Sequence, residues 1–150
     1  MKKLIMIIII TVMSMSMYAQ QLDMGMSFIP IASTVNFDMK NMVVSNLLLA
    51  QVNYNTAKTY HVLAYNFNGT SLMTFQGWMY KPNQDAYVVI GKNLKNKEGY
   101  LAIGWEHTIL NGSFAPSAFI EIGTNYAFSE NYFSIGIFAP LNWTVWKKNK

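Results

Sequence analysis

The chain has 150 residues, with 11 lysines and no arginine against 7 carboxylates, for a formal net charge of +4. That small, scattered excess makes no basic face for nucleic acid, and the absence of cysteine excludes a disulfide framework or a thiolate metal site. Charged residues are only 12% of the chain and aromatic residues 15%, a composition with too few charges to cover a soluble domain in the usual way.

Lys2 and Lys3 open the chain, an unbroken apolar run follows from Leu4 to Met13, and a small and polar stretch ends Met17-Tyr18-Ala19. A charged start, a short hydrophobic run and a small residue before the cut are the parts of a cleavable signal peptide. Residues 1–19 are therefore expected to direct export, with cleavage after Ala19. The run is too short for a transmembrane helix, which needs roughly 20 apolar residues, and no cysteine follows it to carry a lipid anchor. Removal of Lys2 and Lys3 leaves nine lysines against seven carboxylates.

Residues 20–150 are expected to form a single domain. They break at regular intervals on turn residues: Asp38–Met42, Asn55–Lys58, Asn68-Gly69, Lys81–Asp85, Asn93–Gly99, Leu110–Pro116 and Ala127–Glu130. Asn68-Gly69 and Asn111-Gly112 carry the residue pair that suits a type I′ hairpin turn. Seven short connections predict eight antiparallel strands in an up-and-down meander, an all-β fold closing as a β-barrel.

Within the segments the period is two. In the second strand Leu48, Ala50, Val52 and Tyr54 oppose Gln51 and Asn53, and in the third Leu63, Tyr65 and Phe67 oppose Ala64 and Asn66. The fourth sets Met73, Phe75 and Met79 against Thr74 and Gln76, while the fifth, Ala86–Ile90, is apolar on both faces. In the sixth Leu101, Ile103 and Trp105 oppose Ala102, Gly104 and Glu106. In the seventh Ala118, Ile120 and Ile122 oppose Glu121, Gly123 and Asn125. The last strand places Phe133, Ile135, Ile137, Ala139, Leu141, Trp143 and Val145 on one face, with Ser134, Gly136, Asn142 and Thr144 on the other.

One face is thus large and apolar, the other small, polar and glycine-containing but poor in charge. Such a polar face suits the narrow lumen of a membrane barrel better than a solvent surface. Tyr54, Tyr80, Tyr100, Tyr126, Tyr132 and Trp143, near strand ends, are expected to form interfacial girdles.

The export signal, the strand count and alternating segments such as Tyr100-Leu-Ala-Ile-Gly-Trp-Glu106 and Tyr132-Phe-Ser-Ile-Gly-Ile-Phe138 resemble the small eight-stranded outer-membrane barrels of the OmpA and OmpX type. The resemblance implies a bacterial outer-membrane protein surrounded by lipid. Two features depart from it. Trp146 is followed by Lys147-Lys148-Asn149-Lys150, where such barrels finish on an aromatic residue, and Pro30 and Pro140 lie in strands that must pair to close the ring. The competing architecture is a soluble periplasmic or secreted barrel or sandwich, lipocalin-like, with the Leu/Ile/Phe face turned inward around an apolar ligand.

Catalytic chemistry is thinly represented. Trp105-Glu106-His107 with Asn111 and Glu121 resembles the constellation of a small outer-membrane lipid A deacylase, in which His107 would be the base and Glu121 its orienter. Position 109 is isoleucine where the serine nucleophile should stand, and Thr108 projects to the opposite face from His107. Glu106 and Glu121 share the polar face of adjacent strands as interior carboxylates. His61 and His107, without cysteine or clustered carboxylates, make a poor zinc set, and no phosphate loop or dinucleotide fingerprint occurs. No catalytic, cofactor or metal residues are assigned, and the role expected is non-enzymatic.

Overall fold

The structure, a computed structural model, describes residues 20–36, 41–110, 115–127 and 129–148. The expected signal peptide lies outside them, as does Asn111-Gly112. Eight antiparallel strands follow one another in chain order: β1 (Gln21–Asn36), β2 (Asn41–Asn55), β3 (Thr59–Asn66), β4 (Ser71–Lys81), β5 (Gln84–Asn93), β6 (Gly99–Thr108), β7 (Ser117–Asn125) and β8 (Asn131–Lys147). Each pairs with its sequence neighbour, and β8 returns to pair with β1, from Gln21 opposite Lys147 to Asn36 opposite Tyr132. The predicted meander closes into a barrel.

Both prolines are placed where a ladder tolerates them. Pro30 sits in a bulge, because the register shifts between Ile29 and Ala32 against β2 and between Phe28 and Ile31 against β8. A bulge leaves its extra residue outside the ladder, so a missing N–H costs little there. Pro140 lies opposite Ser27 of β1, two residues past Phe138, where the pairing of β8 with β7 stops. Beyond that point β8 is paired on one side only, the edge condition that proline accepts.

Three loops at the end away from the termini are built on asparagine. Asn66, the last residue of β3, accepts from the amides of Asn68 and Gly69 at 3.0 and 3.2 Å. Asn93, ending β5, accepts from those of Lys95 and Asn96 at 2.8 and 3.1 Å, and Asn125, ending β7, from that of Ser129 at 3.0 Å. These side chains satisfy loop amides as Asx turns do. The type I′ turn expected at Asn68-Gly69 does not form. Asn66 pairs with Ser71 across a four-residue loop, and the left-handed residue is Thr70, at φ 52°. Once Asn66 has captured the two amides, the tight two-residue geometry is no longer needed. The two-residue connection is Pro82-Asn83 instead, with Asn83 at φ 65°, the residue order of a type II turn.

Alternation assigns the faces. Ile103, Ile120, Ile122, Ile135 and Ile137 all point out of the barrel, with Ile103 at 65% and Ile122 at 61% exposure. Ala64, Ala102, Ser134, Gln51 and Asn53 point in and are buried. The lipocalin-like alternative required the isoleucine face to be inside; the ring closes with it outside. In β4 the expected assignment is reversed. Met73 and Phe75 face the lumen, while Leu72, Thr74 and Trp78 face out. The core therefore sits inside the barrel, where Leu49, Ala64, Met73, Tyr87, Val89 and Ala102 form one apolar cluster and Ile29, Ala32 and Phe119 a second. The lumen is less polar than the alternation alone implied.

Candidate functional site: the barrel lumen

A cavity of about 580 Å³ runs through the barrel interior, from Glu98, Glu130, Asn93 and Asn125 at the asparagine-loop end to Asp85, Glu106, Asn53 and Asn55 near the end that carries the termini. Five of the six described carboxylates line it: Asp85, Glu98, Glu106, Glu121 and Glu130. None of the described lysines does.

The site is organised by tyrosines lying over glycines. Tyr87 of β5 stands opposite Gly104 of β6, which in turn stands opposite Glu121 of β7. With no side chain at Gly104, the Tyr87 ring lies across that strand and its hydroxyl donates to Glu121 Oε2 at 3.2 Å. A Cβ built on Gly104 would come within 2.1 Å of Tyr87 Cζ. Tyr132 of β8 uses Gly123 of β7 in the same way, and its hydroxyl donates to Glu121 Oε1 at 2.9 Å. Tyr60 occupies the space over Gly77, and Tyr100 that over Gly91. Each glycine leaves room for a ring to lie against the barrel wall.

Glu121 is thereby fixed by two phenols, one on each oxygen. Glu106 and Asp85 are cross-strand partners on β6 and β5, and both face the cavity. Glu106 and Glu121 are diagonal neighbours, since Glu106 pairs with Phe119, two residues from Glu121. The three carboxylates form an acidic strip across three adjacent strands, as the shared polar face of Glu106 and Glu121 predicted; Asp85 was missed because β5 is apolar on both faces.

Elsewhere in the interior polar groups pair with one another. Asp23 accepts from Gln21 at 2.8 and 2.9 Å and from Asn55 at 2.8 Å. Gln51 donates to Asn142 at 2.9 Å, and the hydroxyls of Thr34 and Ser134 are 3.0 Å apart. Asn53 Oδ1 is the exception on the cavity wall: it is buried and has no hydrogen-bond partner.

The catalytic constellation does not assemble. His107 alternates with Glu106 and faces outward, its ring stacked on Trp105 at 5.9 Å, while Glu121 faces the lumen. The barrel wall separates the supposed base from its orienter. Among the described residues no group of three or more His, Cys, Asp or Glu side chains is placed to hold a metal ion.

The expected girdle is redrawn. Tyr100 and Tyr132 turn inward to cover glycines, whereas Tyr80, Tyr126 and Trp143 are exposed on the outside. All four tryptophans fall toward the end where β2, β4, β6 and β8 finish: Trp78, Trp105, Trp143 and Trp146. The Trp105 indole N–H donates there to the hydroxyl of Tyr80. These side chains were recognisable as aromatic; their clustering required the strand ends to be located in space.

No protein-family model and no curated protein matches this sequence. Among solved structures the chain is similar to one described as "De novo design of transmembrane beta-barrels", at 16% identity and a TM-score of 0.48, covering 81% of this chain and 96% of that one.

Proposed function

We propose that this chain is a small non-enzymatic β-barrel of the bacterial outer membrane, of the OmpA/OmpX kind, exported by residues 1–19 and holding a structural or interaction role within lipid. One observation carries the reading. The outer wall is largely apolar, with exposed large apolar side chains on all eight strands, and the charges described on it stand at its two rims. Lys58, Lys81, Lys147 and Lys148 stand at the end bearing the termini and Lys92, Lys95 and Lys97 at the other, with no outward-facing charge described between them. A nine-residue strand such as β7, rising about 3.3 Å per residue and tilted ~40°, covers roughly 23 Å of height, close to the apolar band of such barrels. Exposed apolar patches on soluble monomers rarely exceed a few hundred Å², whereas here the belt encircles the molecule. The tryptophans gathered toward one rim suit a membrane interface.

Membrane fractionation tests the proposal. The protein should sediment with outer membranes, require detergent for extraction, and migrate differently on gels before and after boiling. A monodisperse monomer, soluble without detergent after removal of residues 1–19, would overturn it. The division of His107 from Glu121 supports the non-enzymatic part of the reading, and lipid-modifying activity lost on His107→Ala would overturn that part.

A further inference from the structure

The two rims of the barrel carry their positive charge differently. Among the described residues, the lysines at the asparagine-loop end all belong to the β5–β6 hairpin: Lys92, Lys95 and Lys97, each of them exposed. The carboxylates described at that end, Glu98 and Glu130, line the mouth of the lumen instead. At the opposite rim the lysines are dispersed around the ring, with Lys58 between β2 and β3, Lys81 ending β4, and Lys147 and Lys148 at the end of β8. One sector of one rim thus holds a concentrated positive patch.

The hairpin that carries the patch is tied down. The Asn93 amide donates to the Glu98 carbonyl at 2.8 Å, and the Leu94 amide donates to that of Thr70 at 2.9 Å, joining this loop to the one between β3 and β4. Lys97 holds φ 65°, a left-handed conformation that asparagine or glycine takes with less strain. Just below, Lys92 stands opposite Leu72 of β4 and Gly99 of β6. The ring of Tyr126 covers Gly99, where a Cβ would come within 2.0 Å of Cε2, so register sets a half-exposed phenol beside Lys92. Leu72, Ile90, Leu101 and Ile103 continue the outer face beneath. Ammonium groups and a phenol above apolar strands are complementary to an amphiphile with an anionic head.

We propose that the β5–β6 sector of the outer wall binds one anionic phospholipid of the surrounding bilayer, its phosphate held by Lys92, Lys95 and Lys97 and its acyl chains lying on Leu72, Ile90 and Leu101. The site rests on the membrane reading and adds to it a fixed place on the ring and a preferred lipid. A lysine at the level of Lys92 can lay its methylenes on the apolar wall while its ammonium reaches the interface. Tyrosine is at home at headgroup depth, and the Tyr126 hydroxyl offers a donor there. Basic groups gathered beside a bilayer attract anionic lipid. A free phosphate would meet the same ammonium groups but gain nothing from the wall, so the occupant is a lipid.

The test is native mass spectrometry of the full-length protein in non-ionic detergent, given equal amounts of phosphatidylglycerol and phosphatidylcholine with the same acyl chains. Folding of every variant is checked by heat-modifiable migration. One phosphatidylglycerol should be retained per barrel, with a preference of roughly ten-fold or more over phosphatidylcholine. The preference should fall to near parity when Lys92, Lys95 and Lys97 are all changed to Gln, and persist when Lys58, Lys81 and Lys147 are. Lys97→Asn alone should weaken the preference while raising the urea midpoint, because asparagine accepts the left-handed conformation; a purely structural lysine would not split the two readouts. The proposal falls if both lipids are retained alike, if the opposite-rim variant loses as much, or if glycerol phosphate displaces the lipid, which would make the patch a site for free phosphate. Insertion into pure phosphatidylcholine vesicles keeps the two readings apart. A barrel that inserts there without preferring phosphatidylglycerol refutes this site alone, whereas one that does not insert refutes the membrane reading on which it rests.

Discussion

Gly104→Ala separates a local reading of the sequence from the reading that the barrel imposes. In an ordinary strand the substitution stabilises by about 0.5–1 kcal/mol, because glycine loses more conformational freedom on folding than alanine. At this position the new Cβ would lie 2.1 Å from Tyr87 Cζ, 2.4 Å from its hydroxyl oxygen and 2.6 Å from Cε2. Tyr87 is 5% exposed and packed among Leu49, Met73 and Val89, so its ring can yield only by leaving these contacts and swinging off the wall into the lumen. Overpacking of this kind costs about 1–3 kcal/mol. Displacing the ring also breaks its hydrogen bond to Glu121, worth about 1.5–3 kcal/mol for a charged acceptor. The expected net loss is roughly 2–5 kcal/mol, opposite in sign to the backbone effect.

Urea unfolding of the barrel folded into lipid vesicles, followed by heat-modifiable migration, measures this loss. A double-mutant cycle with Tyr87→Ala isolates the cause. With the ring removed, alanine at 104 should become neutral or stabilising. An unchanged midpoint for Gly104→Ala, or an equal loss in the presence and absence of the ring, would refute the steric account.

Three further outcomes follow from the same structure. Ile122→Lys and Ile103→Lys, on the outer wall, should each lower folding stability in bilayers by about 2–4 kcal/mol, as a charge near the bilayer midplane does; in a water-exposed barrel they would be neutral. Tyr132→Phe removes one of the two donors to Glu121 and should cost about 1.5–3 kcal/mol in urea unfolding, without loss of the barrel's circular dichroism. Asn83→Val places a β-branched residue at φ 65° and should lower the urea midpoint by the equivalent of about 1–2 kcal/mol, whereas Asn83→Gly should be close to neutral.

Much of the architecture is legible from residue order. Period-two alternation in β2, β3, β6, β7 and β8 separated the two faces of each strand correctly, because successive side chains on a strand must point to opposite faces. Turn residues located all seven connections to within a few residues. Alternation fails where both faces are apolar. In β4 the pattern chose Met73 and Phe75 as the outer set, and the closed ring places them inside, where Met73 joins Leu49, Tyr87 and Val89 and Phe75 packs against that cluster. Asp85 escaped notice for a related reason, lying at a rim beside a strand without contrast between its faces.

What residue order leaves undecided is which face is outside and which side chains meet. The same alternation fits an apolar interior or an apolar exterior equally well, and only closure of β8 on β1 turned the isoleucines outward. Tyr100 and Tyr132 read as interfacial aromatics until register set them opposite Gly91 and Gly123, whose missing side chains draw the rings inward. The pairing of Asp85 with Glu106, the two phenols on Glu121 and the unmatched oxygen of Asn53 are likewise products of register between strands. Composition announces a barrel wall poor in charge; the order in which strands meet brings Asp85, Glu106 and Glu121 together inside it.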